Sequence, residues 1–397
     1  MTSSERSENS SHRISPRACS VSGLGVYVHL AFCPYICPYC DFAKWPFRTS
    51  LARRYLDALA GEIAREPRSP AATVYLGGGT PNAYDARRLH ALLERIRERF
   101  PPGERLQEIT IELNPELVLA GDFEVYRAAG VTRLSIGVQS FDDGEARTLG
   151  RHHTFADVER AVALARAAGI TSVNVDLIFG VPGQTKRSWR ASLERAIALD
   201  VDHVSAYGLT VEEGTPFAAW REREPNRFMD DAAEAALYQI AAEVLGAAGY
   251  EQYEISNFAR SGHRCAHNEN YWNNGEYAGL GVGAASYRGG LRSTHTRDLG
   301  AYVSAALDGA PIPGESERLE GKRAVGEAIM LALRTAQGVR LEAFKERYGI
   351  DVLEEYAPVV AAYARSGCLE REEDAVRLTP RGRLLANEVC GAFLSLK

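Results

Sequence analysis

No run of 18 apolar residues occurs in this 397-residue chain, which excludes a membrane-spanning helix. Positive charge is not in surplus either. The 46 Lys and Arg stand against 52 Asp and Glu, leaving −6 at pH 7, so a broad electrostatic grip on nucleic-acid phosphates is excluded and no nucleic-acid partner is expected. Cysteine is scarce and odd in number, seven in all. Cys19, Cys265, Cys368 and Cys390 lie too far apart for a disulfide scaffold and read as free thiols in a reducing compartment, the cytoplasm. A reversible membrane contact stays open. Residues 1–22 are rich in Ser and Arg and lack an apolar h-region, so they read as a disordered tail rather than a signal peptide. There is no internal repeat.

The other three cysteines sit together. Cys33, Cys37 and Cys40 follow the apolar run that starts at Gly25 and are spaced C-x3-C-x2-C. A structural zinc site wants a fourth ligand with its own C-x2-C or H-x3-H partner, and none follows. An iron-sulfur cubane held by three cysteines leaves one iron free for another ligand. The spacing favours the cluster, with zinc or an inert buried cysteine patch as the other readings.

From Gly25 to Thr210, β-branched runs alternate with amphipathic helical segments, the signature of βα units on a parallel sheet. The predicted strands are 26–30, 73–76, 108–113, 133–138, 172–178 and 203–209. The predicted helices include 51–66, 85–100, 155–168 and 188–199. Six such units close into a barrel or part of one. At the strand ends stand the residues that look out of place: the cysteine loop, Gly77-Gly78-Gly79-Thr80, Glu112, Gln139, Asp176 and Gly208. A glycine triplet by itself is often a turn, and a lone carboxylate is often a helix cap or salt-bridge partner. Six successive strand ends with such residues point to a ligand site.

These residues resemble a known family. The cysteine loop with Tyr39 before its last cysteine is similar to the radical S-adenosylmethionine (SAM) superfamily. The segments Tyr27-Val-His29, Gly77-Gly-Gly-Thr-Pro81, Ile111-Glu-Leu-Asn-Pro115, Gly137-Val-Gln-Ser-Phe141, Leu149-Gly-Arg151-His152-His153 and Asp176 to Gln184 are similar to the oxygen-independent coproporphyrinogen III oxidases and the HemW haem chaperones. The resemblance implies a partial (βα)6 barrel over residues 23–255 in an α/β fold. It implies a [4Fe-4S] cluster on Cys33, Cys37 and Cys40, with SAM chelating the cysteine-free iron. SAM-binding positions would be Tyr27, Tyr39, Gly78, Gly79, Thr80, Glu112, Gln139, Arg151, Asp176 and Gly208. The electron donor implied is a low-potential protein such as flavodoxin or ferredoxin.

Two absences favour the chaperones over the oxidases. The oxidase pattern has a further cysteine where this chain has Phe42, and a longer segment before the first strand than the 24 residues preceding Gly25. Coproporphyrinogen oxidation is therefore not expected, and a radical enzyme acting on a porphyrinogen is the alternative. The segment 256–300 carries the H-N-x-x-Y-W signature, which implies haem binding by His267, Tyr271 and Trp272 and delivery to a haem-accepting protein. Relatives commonly have His where this chain has Ala285, which argues against a second axial histidine there. Residues 301–397, with predicted helices 322–335, 341–348 and 351–366 followed by a hairpin, resemble the family's winged-helix-like C-terminal domain.

Overall fold

The computed structural model describes residues 23–103 and 108–394. The tail expected over residues 1–22 lies outside them. The chain forms two compact units, one running to Ser316 and one from Glu317.

The first unit is built on strands β1 (Leu24–Leu30), β2 (Ala71–Gly78), β3 (Glu108–Leu113), β4 (Arg133–Gln139), β5 (Ser172–Phe179) and β6 (His203–Gly208), paired in that order and all parallel. Alternation along the strands assigns the two faces. On β3, Ile109, Ile111 and Leu113 join the apolar core, and on β5 so do Val173, Val175 and Leu177. Thr110, Glu112, Asn174 and Asp176 take the opposite face, the barrel interior. Helices α1 (Thr49–Arg65), α2 (Ala86–Arg99), α3 (Asp122–Ala128), α4 (Asp143–Thr148), α5 (Phe155–Ala167) and α6 (Lys186–Ala198) intervene between the strands. Asp85 caps α2 through the amides of Arg87 and Arg88, and the helix buries Leu89, Leu92, Leu93 and Ile96. A capping box of Thr185 and Ser188 starts α6 before the predicted Ser188. Helices α7 (Pro216–Arg223) and α8 (Asp231–Ala247) follow β6.

The segment 256–300 does not stand apart from the barrel. Strands β7 (Glu251–Gln252) and β8 (Asn257–Ala259) extend the sheet beyond β6. After α9 (Ala266–Trp272), strand β9 (Tyr277–Leu280) pairs parallel to the other side of β1, a seventh parallel strand where six were expected. It is short and glycine-rich, and a Cβ at Gly279 would lie 2.0 Å from the Ala285 carbonyl oxygen as the chain doubles back. Strands β10 (Ala285–Arg288), β11 (Leu291–His295) and β12 (Gly314–Arg318) complete a twelve-stranded sheet. Helix α10 (Leu299–Asp308) packs on α1, with the Tyr302 hydroxyl on buried Glu62 and Arg65 donating to the Ala306 carbonyl at 2.9 Å. Those bonds move the division from the expected 300/301 to 316/317.

The second unit holds α11 (Gly321–Leu333), β13 (Val339–Arg340), α12 (Leu341–Tyr348), α13 (Val352–Glu355), α14 (Ala357–Arg365), the hairpin β14 (Leu369–Glu372) and β15 (Ala375–Leu378), then α15 (Pro380–Leu384) and α16 (Ala386–Ala392). β15 is the central strand of the three. This is the winged-helix pattern. The helix expected over 351–366 is two, because Pro358 has no N–H for the preceding turn and starts a new helix. No helix among the described residues is long and apolar enough to cross a membrane.

Candidate functional site

The cysteine loop leaves the end of β1. Phe32 and Cys33 pair with Trp45 and Pro46, so both ends of the loop are pinned. Inside it the Cys40 amide donates to the Cys37 carbonyl at 3.3 Å, and Lys44 Nζ donates to the Cys40 carbonyl. Burial pushes the Cys33 thiol up to about 11 and Cys40 upward too. Metal binding would displace those protons. Among the described residues no three His, Cys, Asp or Glu side chains converge on the position of a single ion. A cubane takes each thiolate on a different iron. All three thiols line one cavity of about 490 Å³, within the range that holds a cofactor-sized molecule.

The strand ends supply the rest of that cavity. Gly78, Gly79, Thr80, Glu112, Gln139, Asp176 and Gly208 line it, as do Tyr39 and Arg151. Tyr27 does not. It lies behind, stacked on Tyr75 with ring centroids 6.1 Å apart and its hydroxyl 3.0 Å from His29 Nδ1. Glu112 accepts from the Tyr75 hydroxyl at 2.8 Å and the Gly78 amide at 3.1 Å. Burial still pushes its carboxyl up to about 7, and neighbouring Asp176 adds to the rise. Asp176 accepts from Ser135 at 2.9 Å and Asn174 at 2.8 Å, and burial raises it as well. Gln139 has φ of +68° beside a register shift in β4, so a bulge sets where its side chain goes.

Arg151 joins the ends of β3 and β4 to the cysteine loop. Its guanidinium donates to Asn114 Oδ1 at 2.8 Å and to the Gly137 carbonyl, reaches within 3.8 Å of Cys37 Sγ, and lies over the Tyr35 ring. Its buried Nε has no partner. An orphaned donor near Cys37, in a cavity that two raised carboxylates also line, suits a site for a ligand that carries both charges.

Each glycine of the triplet is pressed closely by the protein itself. A Cβ at Gly77 would lie 2.9 Å from the Glu112 carboxylate, at Gly78 2.3 Å from His29 Nδ1, and at Gly79 2.6 Å from the Leu30 carbonyl oxygen. The protein's own neighbours leave no room for a side chain there. Tyr75 is the residue that sequence reasoning missed. Its signal was its place two residues before Gly77, on the β2 face turned toward Glu112.

The haem-associated signature folds differently from expectation. His267 on α9 is only 1% exposed and does not line the cavity. Its Nδ1 is 2.8 Å from Thr73 Oγ1 and its Nε2 is 2.9 Å from the Tyr271 hydroxyl. Burial alone lowers its pKa to about 3, so the ring is neutral. Both ring nitrogens of His267 are bonded within the protein in this arrangement. Tyr271 and Trp272 also stay off the cavity wall, whereas Cys265 and Asn268 reach it.

Residues 27–196 match the radical SAM superfamily, and residues 319–385 match the HemN C-terminal domain. The haem chaperone HemW of Bacillus subtilis is 35% identical, covering 93% of this chain and 98% of its own. HemW of Escherichia coli K12 is 33% identical, covering 94% and 98%. The chain belongs to the HemW family. Its fold is shared with the coproporphyrinogen III oxidase of Escherichia coli, 24% identical with a TM-score of 0.81 over 94% of this chain and 90% of that one. In this HemW-family chain Phe42, which stands where the oxidase pattern has its further cysteine, lines the cavity and is 64% exposed.

Proposed function

We propose that this chain is a haem chaperone, which binds haem beside a SAM-ligated [4Fe-4S] cluster and passes the haem to an acceptor protein. The observation that carries this reading is the match to HemW chaperones over more than nine-tenths of the chain. The site supports the cofactor half. Cys33, Cys37 and Cys40 are the ligands we assign to the cluster, whose bound form supplies one electron from a low-potential donor such as flavodoxin or ferredoxin. Arg151, 3.8 Å from Cys37 Sγ, offsets the charge of the thiolates. Glu112 and Asp176 meet the cationic groups of SAM, because a carboxylate held out of bulk water is stabilised by an opposite charge. Gln139 and Thr80 supply neutral hydrogen-bonding groups around the same ligand, and Gly78, Gly79 and Gly208 supply main chain.

For haem we assign the cavity rim rather than His267. Phe42 and Tyr207, both exposed and both lining the cavity, offer a flat apolar face to the macrocycle. Lys44, on the same wall, is placed to meet a propionate. Phe42 also leaves no thiol at the position where the oxidase pattern has one. The test is anaerobic reconstitution with iron and sulfide, then addition of haem, SAM and coproporphyrinogen III in turn. The reading expects cluster absorbance, a Soret band of bound haem, and no carbon dioxide from coproporphyrinogen III. Carbon dioxide released with matching 5′-deoxyadenosine would overturn it in favour of the porphyrinogen enzyme.

A further inference from the structure

We propose that His267 is a positioning residue for Glu112, acting through the ring and hydroxyl of Tyr75. The inference rests on the assignment of Glu112 to SAM above. It gives the H-N-x-x-Y-W segment a role in the SAM site that requires no metal ligation by its histidine.

The connection is continuous. His267 stacks on Tyr75, with ring centroids 5.1 Å apart and planes inclined by 30°. The Tyr75 hydroxyl donates to Glu112 Oε1 at 2.8 Å. Tyr27 stacks on Tyr75 as well, so the phenol ring has a partner in each of two directions. His267 is fixed in turn at both nitrogens, by Thr73 at 2.8 Å and Tyr271 at 2.9 Å. Thr73 and Tyr75 lie on one face of β2, so the strand that carries the phenol also anchors the imidazole.

Glu108 secures the other side. At the start of β3 its carboxylate accepts from the amides of Ala266 and His267, at 3.2 and 3.3 Å, and from Cys265 Sγ at 3.3 Å. The same strand carries Glu112, four residues on. One strand thus holds the helix bearing His267 and the carboxylate that His267 serves. Glu112 has little freedom to follow a moved Tyr75, because its Oε2 also accepts from the Gly78 amide of β2 at 3.1 Å. Loss of the stacked imidazole lets the Tyr75 ring tilt, and the hydrogen bond to Glu112 lengthens.

The test is equilibrium binding of SAM to the cluster-loaded protein and its variants, prepared anaerobically. Tyr75→Phe removes the hydroxyl and is expected to weaken SAM about 10- to 100-fold, the range for a hydrogen bond to a charged group. His267→Ala removes the stack and is expected to cost about three- to tenfold. His267→Phe keeps a ring over Tyr75 and should recover most of that loss. In the Tyr75→Phe background, His267→Ala should cost nothing more.

The pH profile separates positioning from general loosening. The titratable groups facing Glu112 are Tyr75, Tyr27, Tyr271 and Asp176. Loss of the Tyr75 bond removes a contact that favours ionised Glu112, so the midpoint for SAM binding should rise in Tyr75→Phe and in His267→Ala. Loosening of the fold would lower affinity evenly across pH. Iron content and the unfolding midpoint check that each variant is folded, and His267→Phe serves where His267→Ala is not. If Glu112→Ala binds SAM like wild type, the SAM assignment itself fails. If Glu112→Ala is weak but His267→Ala is not, or the losses in the double variant add in full, the positioning role alone is wrong. A changed Soret band in His267→Phe with unchanged SAM affinity would also overturn it, in favour of haem ligation.

Discussion

Replacing Asp176 by Asn changes charge at nearly constant shape, so it sets ligand binding against stability. Asp176 Oδ1 accepts from Asn174 Nδ2 and Oδ2 from Ser135 Oγ, at 2.8 and 2.9 Å. An amide keeps the first bond through its oxygen, and the Ser135 hydroxyl turns to accept from its NH2. The geometry therefore survives. What goes is a negative charge that burial already disfavours, as the upward shift of the carboxyl records. The unliganded protein should keep its stability or gain up to about 1 kcal/mol. SAM, deprived of a charge-assisted partner, should lose about 1.5–3 kcal/mol, or about 10- to 150-fold in affinity. Isothermal titration of the cluster-loaded protein and urea unfolding of the cluster-free protein give the two numbers. Wild-type SAM affinity, or a lost fold, would refute the reasoning.

Other outcomes follow from the same site. Alanine at Cys33, Cys37 or Cys40 should abolish the cluster, read by iron and sulfide content, whereas Cys265→Ala should keep it. Glu112 titrates near 7 when folded against an ordinary 4.5, so between those values the folded chain holds a proton that the unfolded chain has released. Its contribution to stability therefore falls as pH rises through that window and levels off above about 7. Urea unfolding of Glu112→Gln from pH 4.5 to 8 should show a shallower fall than wild type. Gly79→Ala should cost about 1–3 kcal/mol, because its Cβ meets backbone atoms of Leu30 and Phe32 at 2.6–2.9 Å. Gly246→Ala, in α8 with nothing within 4 Å, should be neutral or stabilising by about 0.5–1 kcal/mol in the same denaturation assay.

The barrel strands were legible because their alternation is complete. Ile109, Ile111 and Leu113 against Thr110 and Glu112 leave one reading of β3, and Val173 to Leu177 does the same for β5. Strand β9 was not legible, since a four-residue Tyr-Ala-Gly-Leu stretch has too few side chains to carry a period and its partner β1 lies some 250 residues earlier. The cavity set was readable for a related reason: polar residues at the ends of parallel strands must gather on one side of the sheet. The surroundings of His267 were not. Tyr271 follows His267 by one helical turn of α9, but Thr73 and Tyr75 are brought to it by α9 docking across β2, and no spacing within Ala266 to Trp272 encodes that. Glycines show the same limit, for the triplet marks a close approach without saying whether ligand or protein approaches.

The central claim is transfer of haem, and one measurement reaches it directly. The reconstituted chain, loaded with one haem and SAM, is mixed with a haem-free acceptor globin, and the acceptor's spectrum is followed in time. A parallel mixture with a large excess of an apolar haem scavenger gives the rate of spontaneous release. Haem should be retained against the scavenger yet delivered to the acceptor globin faster than that release, and more slowly when Phe42→Ala removes the exposed face. Delivery to the globin no faster than release into the scavenger, or no haem bound at all, would contradict haem transfer.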